Sequence, residues 1–236
     1  GDGIVGTVPG HRYWAGTPQE APPPLAIRPM EQLSRDALAG VQYLVLAPPE
    51  FQPSLQPLMD HPFFADRTRV PLAVHEAGAL ALARADPLVT QADLLERDIA
   101  PVRTTLALFA APDLGRGSEV RQSCGNTDIT LTTKFRTRKD GRIVPEQVLR
   151  AGSSCEFTLY HTPGHSPDSI CIQAGSLLFI GDLLFAAAPG VAGMHGWDPN
   201  ALVASIDTVR ALLAGGSITY CLPGHGAPLS REDALR

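Results

Sequence analysis

Apolar runs and alternating stretches divide this chain into strands and helices. A short strand is expected near residues 4–8, followed by Pro- and Gly-rich sequence in which APPPL, 21–25, is a stiff extended connector. EQLSRDALAG, 31–40, reads as a short helix closed by Gly40. The β-branched apolar run VQYLVLA, 41–47, stops at Pro48-Pro49 and reads as a buried strand, and RVPLAVH, 69–75, reads the same way. AGALALARA, 77–85, and much of 90–110 read as helix. DITLTTKFRTRKDGRIV, 128–144, alternates in the strand period around an Asp140-Gly141 turn and predicts a hairpin. CEFTLYH, CIQAGSLLFIGD and SITYCLPGH read as three further strands, with a helix over 200–213 between the last two. Strands interleaved with helices predict an α/β protein of one domain, 1–236, whose first 30 residues are irregular.

Composition narrows the class. The chain has 236 residues, 44% hydrophobic and 18% charged, which suits a globular protein with a sizeable core and excludes a disordered one. A net charge of −5 points away from nucleic acid and from an anionic membrane surface as partners. No apolar run approaches the roughly 18 residues that cross a bilayer, and no signal-peptide pattern is present. The first residue is Gly rather than Met, so a trimmed N-terminus is expected. Cys124, Cys155, Cys171 and Cys221 form no CxxC pair and are expected to be reduced, which favours a cytoplasmic location.

The chemistry gathers at strand ends. YHTPGHSPDS, 160–169, holds His161 and His165 around a Pro-Gly step that fits neither a helix nor a central strand, so it is a tight turn. Three such loops each deliver a metal-capable side chain: TPGH ends at His165, IGD at Asp182 and LPGH at His225. Two imidazoles and a carboxylate suit zinc, iron or manganese.

HTPGHSPDS, then LLFIGDLLF, a helix and CLPGHG together resemble the C-terminal half of the metallo-β-lactamase superfamily, in its glyoxalase II, lactonase and thioesterase-like branch. The resemblance covers residues 150–228 and implies a four-layer αβ/βα sandwich with a metal site along one edge of two facing sheets. It implies that His165 ligates a first metal, that Asp182 bridges two metals, and that His225 ligates the second. His161 is then a supporting residue, and His195 and Trp197 lie in a loop that shapes the substrate pocket. Asp168, where the family often has Gly, is either an additional acid by the metal turn or a turn cap. His75 before Glu76 is expected to be structural or to support the ligands from behind them.

The family's other signature, HxHxDH, is missing. Laid on that frame, VLAPPEFQPS places Pro48, Glu50, Gln52 and Pro53 where His, His, Asp and His are expected. Proline has no donor atom, Gln52 offers a weak amide oxygen, and Glu50 alone keeps a carboxylate. A dinuclear zinc site needs about three protein ligands per metal. The expectation is therefore an atypical mononuclear ion, zinc or alternatively iron, on His165, Asp182 and His225, with Glu50 as a further ligand. Asp182 and His225 would carry the hydrolysis of a thioester, lactone or ester. The basic run KFRTRKDGR, 134–142, is either a solvated hairpin face or an attractor for a small-molecule or carrier-bound acyl substrate such as a CoA thioester. The alternatives are a metal-free binding or scaffold protein and a changed chemistry, either an Fe-dependent oxygenase or a metal-independent cyclase or lyase; a homo-oligomer is compatible with all of them.

Overall fold

The structure, a computed structural model, describes residues 4–8, 11–15, 45–46, 72–90, 92–93, 98–110, 117–124, 127–137, 141, 143–152, 155–185, 188–189, 195–224 and 228–236. Expectations for the helix at 31–40, for Glu50 and its neighbours, and for His225 fall outside those residues. The chain divides into two compact units, one mainly before residue 109 and one mainly after it.

In the first unit, β1 (Ile4–Val8) and β2 (His11–Ala15) pair antiparallel. β3 (Val45–Leu46), β4 (Leu72–His75) and β5 (Leu106–Leu108) form a parallel sheet, and α1 (Glu76–Arg84) follows β4 directly. His75 caps that helix, its Nδ1 accepting from the N–H of Ala77 at 3.1 Å. The helix expected over much of 90–110 is corrected here: residues 98–104 are irregular and 106–108 are a strand. Pro101 lacks an N–H, and Thr104-Thr105 are β-branched, so a helix is poorly supported there. Thr105 is instead used at the strand entry, where its Oγ1 accepts from the N–H of Leu72 at 2.9 Å.

The second unit carries an eight-stranded sheet ordered β15-β14-β11-β10-β9-β8-β7-β6. Its strands are β6 (Ser118–Cys124), β7 (Thr127–Thr137), β8 (Ile143–Ala151), β9 (Cys155–His161), β10 (Ile170–Ala174), β11 (Leu177–Gly181), β14 (Tyr220–Pro223) and β15 (Leu229–Ser230). The small pair β12 (Leu184–Phe185) and β13 (Ala188–Pro189) stands apart from it. The hairpin expected over 128–144 is β7 and β8, with Gly141 at φ +80 between them. CIQAGSLLFIGD is two strands rather than the single one expected, because Gly175 at φ +58 turns β10 back onto β11. Apolar residues on both sides of that turn conceal it from a pattern reading.

A crossover helix, α2 (Pro199–Ala214), joins β11 to its parallel neighbour β14. Asp198 caps it by accepting from the N–H groups of Asn200 and Ala201 at 2.8 and 3.1 Å, and Pro199 supplies a preset φ in the first turn. Leu202, Ser205, Val209 and Leu213 recur at helical spacing and are buried. The three apolar ones join Tyr160, Leu178, Ile180, Ile218 and Cys221 in one core against the sheet. Each such side chain contributes about 1.5–3 kcal/mol on leaving water. A last short helix, α3 (Arg231–Leu235), follows β15. Among the described residues no helix is long and apolar enough to cross a membrane.

Candidate functional site

The turn after β9 is built to be rigid. Thr162 N–H donates to the carbonyl of Ser169 at 2.9 Å and Gly164 N–H to that of Ser166 at 3.1 Å. Ser166 N–H donates to Ser169 Oγ at 3.1 Å, and the two serine hydroxyls meet at 2.7 Å. Gly164 sits at φ +137, and a Cβ there would overlap the backbone N and Cα of Leu202 in the first turn of α2. α2 grips both carbonyls of the Pro-Gly step: Asp198 N–H donates to Gly164 O at 2.9 Å, and Ser205 Oγ donates to Pro163 O at 2.7 Å. The hydroxyl that reads as an odd polar residue on the buried face of the helix is the strut of the turn.

Asp182 follows β11, whose last residue Gly181 has φ +53. β14 runs parallel to β11, so their C-terminal ends emerge together, with Gly181 opposite Pro223. Gly224 N–H donates to Gly181 O at 2.7 Å, tying the IGD loop to the LPGH loop. His165 and Asp182 come together there: Nε2 lies 3.7 Å from Oδ2, and each side chain is 8% exposed. That gap is too long for a hydrogen bond. It is close to the roughly 3.3–3.6 Å between two ligand atoms of a tetrahedral ion with bonds of about 2.0–2.2 Å. A neutral imidazole nitrogen and a carboxylate oxygen are also the right donors, so the pair fits a metal ion. His225, the third residue of the expected set, follows Gly224 directly and lies outside the described residues. Among the described residues no group of three or more His, Cys, Asp or Glu is placed to hold an ion.

The other expected site residues are placed as follows. His161 closes β9; its Nε2 meets the carbonyl oxygen of Pro167 at 2.8 Å, and its ring centroid is 5.6 Å from that of Phe109. Burial holds its pKa below the usual imidazole value, the Pro167 hydrogen bond acting the other way. Asp168 is 4% exposed, and burial raises its carboxyl above the usual range, opposed by a hydrogen bond from Ser166. His195 and Trp197 are exposed just before α2. A cavity of about 270 Å³ lies between α2 and strands β7 to β9; Arg136, Glu146, Tyr160, His161, Pro163 and Ser205 are among its walls.

Two residues of interest were not legible in the sequence. Phe109 is buried at φ +56, and its N–H donates to Oε1 of Gln147 at 3.0 Å. Gln147, 2% exposed in the middle of β8, also donates from Nε2 to Thr133 Oγ1 at 3.0 Å. Set between Glu146 and Val148 in the strand run IVPEQVLRA, Gln147 carries no sequence signal of its burial.

Among solved structures, the chain is similar to the B3 metallo-β-lactamase BLEG-1, with a TM-score of 0.55 at 20% identity, covering 98% of this chain and 96% of that one. It is also similar to TTHA1623 in a di-iron-bound form, with a TM-score of 0.52 at 19% identity over 96% and 92% of the two chains. The chain has the metallo-β-lactamase fold. Within that fold, His165 and Asp182 stand on loops that follow β9 and β11, the two strands flanking β10, at one edge of the sheet. No family model matches the chain. A hydroxyacylglutathione hydrolase of Polaromonas sp. is 37% identical over 82 residues, 33% of this chain. That match spans 30% of the length of the Polaromonas protein.

Proposed function

We propose that this metallo-β-lactamase-fold chain is a metal-dependent hydrolase of a thioester, lactone or ester, working from an atypical mononuclear site. The observation that carries the reading is the nearly buried pair of His165 Nε2 and Asp182 Oδ2, 3.7 Å apart on two strand-end loops. The local likeness to a hydroxyacylglutathione hydrolase supports a hydroxyacyl thioester as the substrate class.

His165, Asp182 and His225 would hold the ion, and Glu50 would add a carboxylate. Zinc suits these donors, and iron is its competitor. When bound, the ion would polarise the acyl carbonyl and lower the pKa of a water. The rest falls to the chain. Asp182, acceptor-only when ionised, orients the water and takes its proton. The water oxygen bonds to the acyl carbon, the acyl–sulfur or acyl–oxygen bond breaks, and the departing thiolate or alkoxide receives the proton. The rigid turn fixes His165, so that little reorganisation accompanies the step. Arg136, from the basic run, supports an anionic carrier on the substrate.

A second reading, a metal-free binding or scaffold protein, is favoured by one specific observation: Pro48 and Pro53 stand where the fold's missing signature would place histidines. Metal analysis of protein purified without chelator separates the two. The hydrolase reading expects about one zinc or iron per chain, and thioester hydrolysis abolished by His165→Ala. A metal-free protein whose hydrolysis is untouched by that substitution would end it.

A further inference from the structure

A buried polar chain runs from the sheet to Phe109, whose ring meets His161 beside the candidate ligand turn, and nothing in the proposed chemistry uses it. It starts at Thr133 on β7, whose Oγ1 accepts from Gln147 Nε2, and continues through Gln147 Oε1 to the N–H of Phe109. Phe109 has φ +56, a backbone conformation uncommon outside glycine and a genuine outlier for a bulky residue. Such outliers persist only where surrounding contacts over-determine them, and they cluster at functional sites. Here the over-determination is visible. Gln147 receives the Phe109 N–H on one side, and on the other the Phe109 ring lies at 32° to the ring of His161, with centroids 5.6 Å apart.

His161 passes the constraint on. Pro167 O can only accept, so the 2.8 Å contact means that Nε2 of His161 carries the proton and donates it. That bond crosses the mouth of the turn, two residues beyond His165. The turn is thus held on two sides, from α2 through Asp198 and Ser205 and from the sheet through His161.

We propose that Gln147 and Phe109 are positioning residues that set the His165 turn through the His161 Nε2–H bond to Pro167. The inference rests on the reading of His165 as a ligand, because a fixed turn matters when one of its side chains must meet an ion. Partners beyond the ligands commonly weaken metal binding about 10–100-fold when removed.

The test uses the full chain with His161→Leu, His161→Gln, Phe109→Leu and Gln147→Met, read by amide hydrogen exchange in the metal-free state and by zinc affinity against a chromophoric chelator. Gln can place a donor where Nε2 of His161 lies; Leu cannot. In metal-free protein, His161→Leu and Phe109→Leu should speed exchange at the amides of residues 162, 164, 166 and 169 about tenfold or more. β10 and β11 should keep their protection, and His161→Gln should stay within about threefold of the parent. Zinc affinity should fall about tenfold in the same variants and be rescued by Gln. Unchanged exchange at the turn in His161→Leu overturns the proposal, and so does a zinc loss that merely tracks global melting across all four variants. Should Gln147→Met fail to fold, Phe109→Leu still decides: exchange at the turn unchanged in that variant overturns the link from the sheet. A parent protein that binds neither zinc nor iron would sink the hydrolase reading, while the exchange comparison would judge the positioning role by itself.

Discussion

Gly224 lies against Asp182 so closely that a Cβ on it would overlap the Oδ1 atom of that carboxylate. The same Cβ would stand 3.2 Å from Asp182 Cγ and 3.2 Å from the carbonyl carbon of Gly181. The glycine of the LPGH turn is therefore a space requirement of the IGD loop, whatever the histidine after it does. A methyl group at 224 forces the Asp182 carboxylate, whose other oxygen faces His165, to shift. Gly224→Ala should cost about 1–3 kcal/mol of stability, the usual range for overpacking a filled site. It should also lower zinc affinity more than its effect on folding explains. Urea unfolding and chelator competition on one preparation check this, and a variant that binds zinc like the parent would show that Asp182 has another way to turn.

Gly164 makes the complementary demand on α2. It combines φ +137 with a Cβ position already occupied by the backbone of Leu202, so no side chain fits there by rotamer adjustment. Gly164→Ala should therefore be among the most destabilising single changes in the chain, at about 3 kcal/mol or more. Chemical denaturation should show the loss, with circular dichroism reporting whether α2 survives. A loss below about 1 kcal/mol would mean that the helix start can shift away from the turn.

This pair of contacts explains what was legible in advance. The first PGH turn and the GD step could be read because Pro and Gly announce a turn and the ligand-type residue is its neighbour in sequence. α2 was legible from its cap and its period, so the expected 200–213 is close to the observed Pro199–Ala214. Gly175 does not announce a turn, because the two short strands on either side of it, ICIQA and LLFIG, read together as one apolar stretch. Leu106–Leu108 was misread because a three-residue strand takes its identity from pairing with β4 rather than from its own composition. Phe109 and Gln147 were invisible for a related reason: a positive φ on Phe and a buried amide become meaningful only when β8, β9 and residue 109 are brought together.

Alkaline pH should weaken the second unit. Burial raises Cys171 from 9.0 to about 12 and Cys221 from 9.0 to about 11. Burial, then the charge of Glu146, raises Tyr160 from 10.0 to about 12. In each case the folded state favours the neutral form, while the unfolded chain ionises freely at its lower pKa. The stabilisation is thus fully present below pH 9 and is lost as pH rises from 9 to 12. Urea midpoints should be level from pH 7 to 8.5 and fall above pH 9, with Cys171→Ala flattening part of the fall. Iodoacetamide at pH 8 should leave the Cys171 and Cys221 peptides unmodified in native protein and label both in urea, because the thiolate is the nucleophile. Equal labelling in both conditions would contradict the burial seen here.

Asp168 offers a test of what faces the turn from inside. Its carboxylate is 4% exposed, and Oδ2 has no hydrogen-bond partner among the described residues. Burial raises its pKa, so the folded state prefers the protonated acid. Its contribution is therefore most favourable below the unfolded value of about 3.9 and is lost as pH rises through the raised folded value. At pH 7 the charge should then be a net cost, and Asp168→Asn, which keeps one acceptor for Ser166, should stabilise the metal-free protein by about 1 kcal/mol. The gain should shrink as pH falls through the raised folded value, where the parent takes up its proton. The opposite result, a variant less stable than the parent at pH 7, would mean that Oδ2 meets a positive charge in the folded protein. In that event the charge is the chain's own, because the comparison is made on metal-free protein.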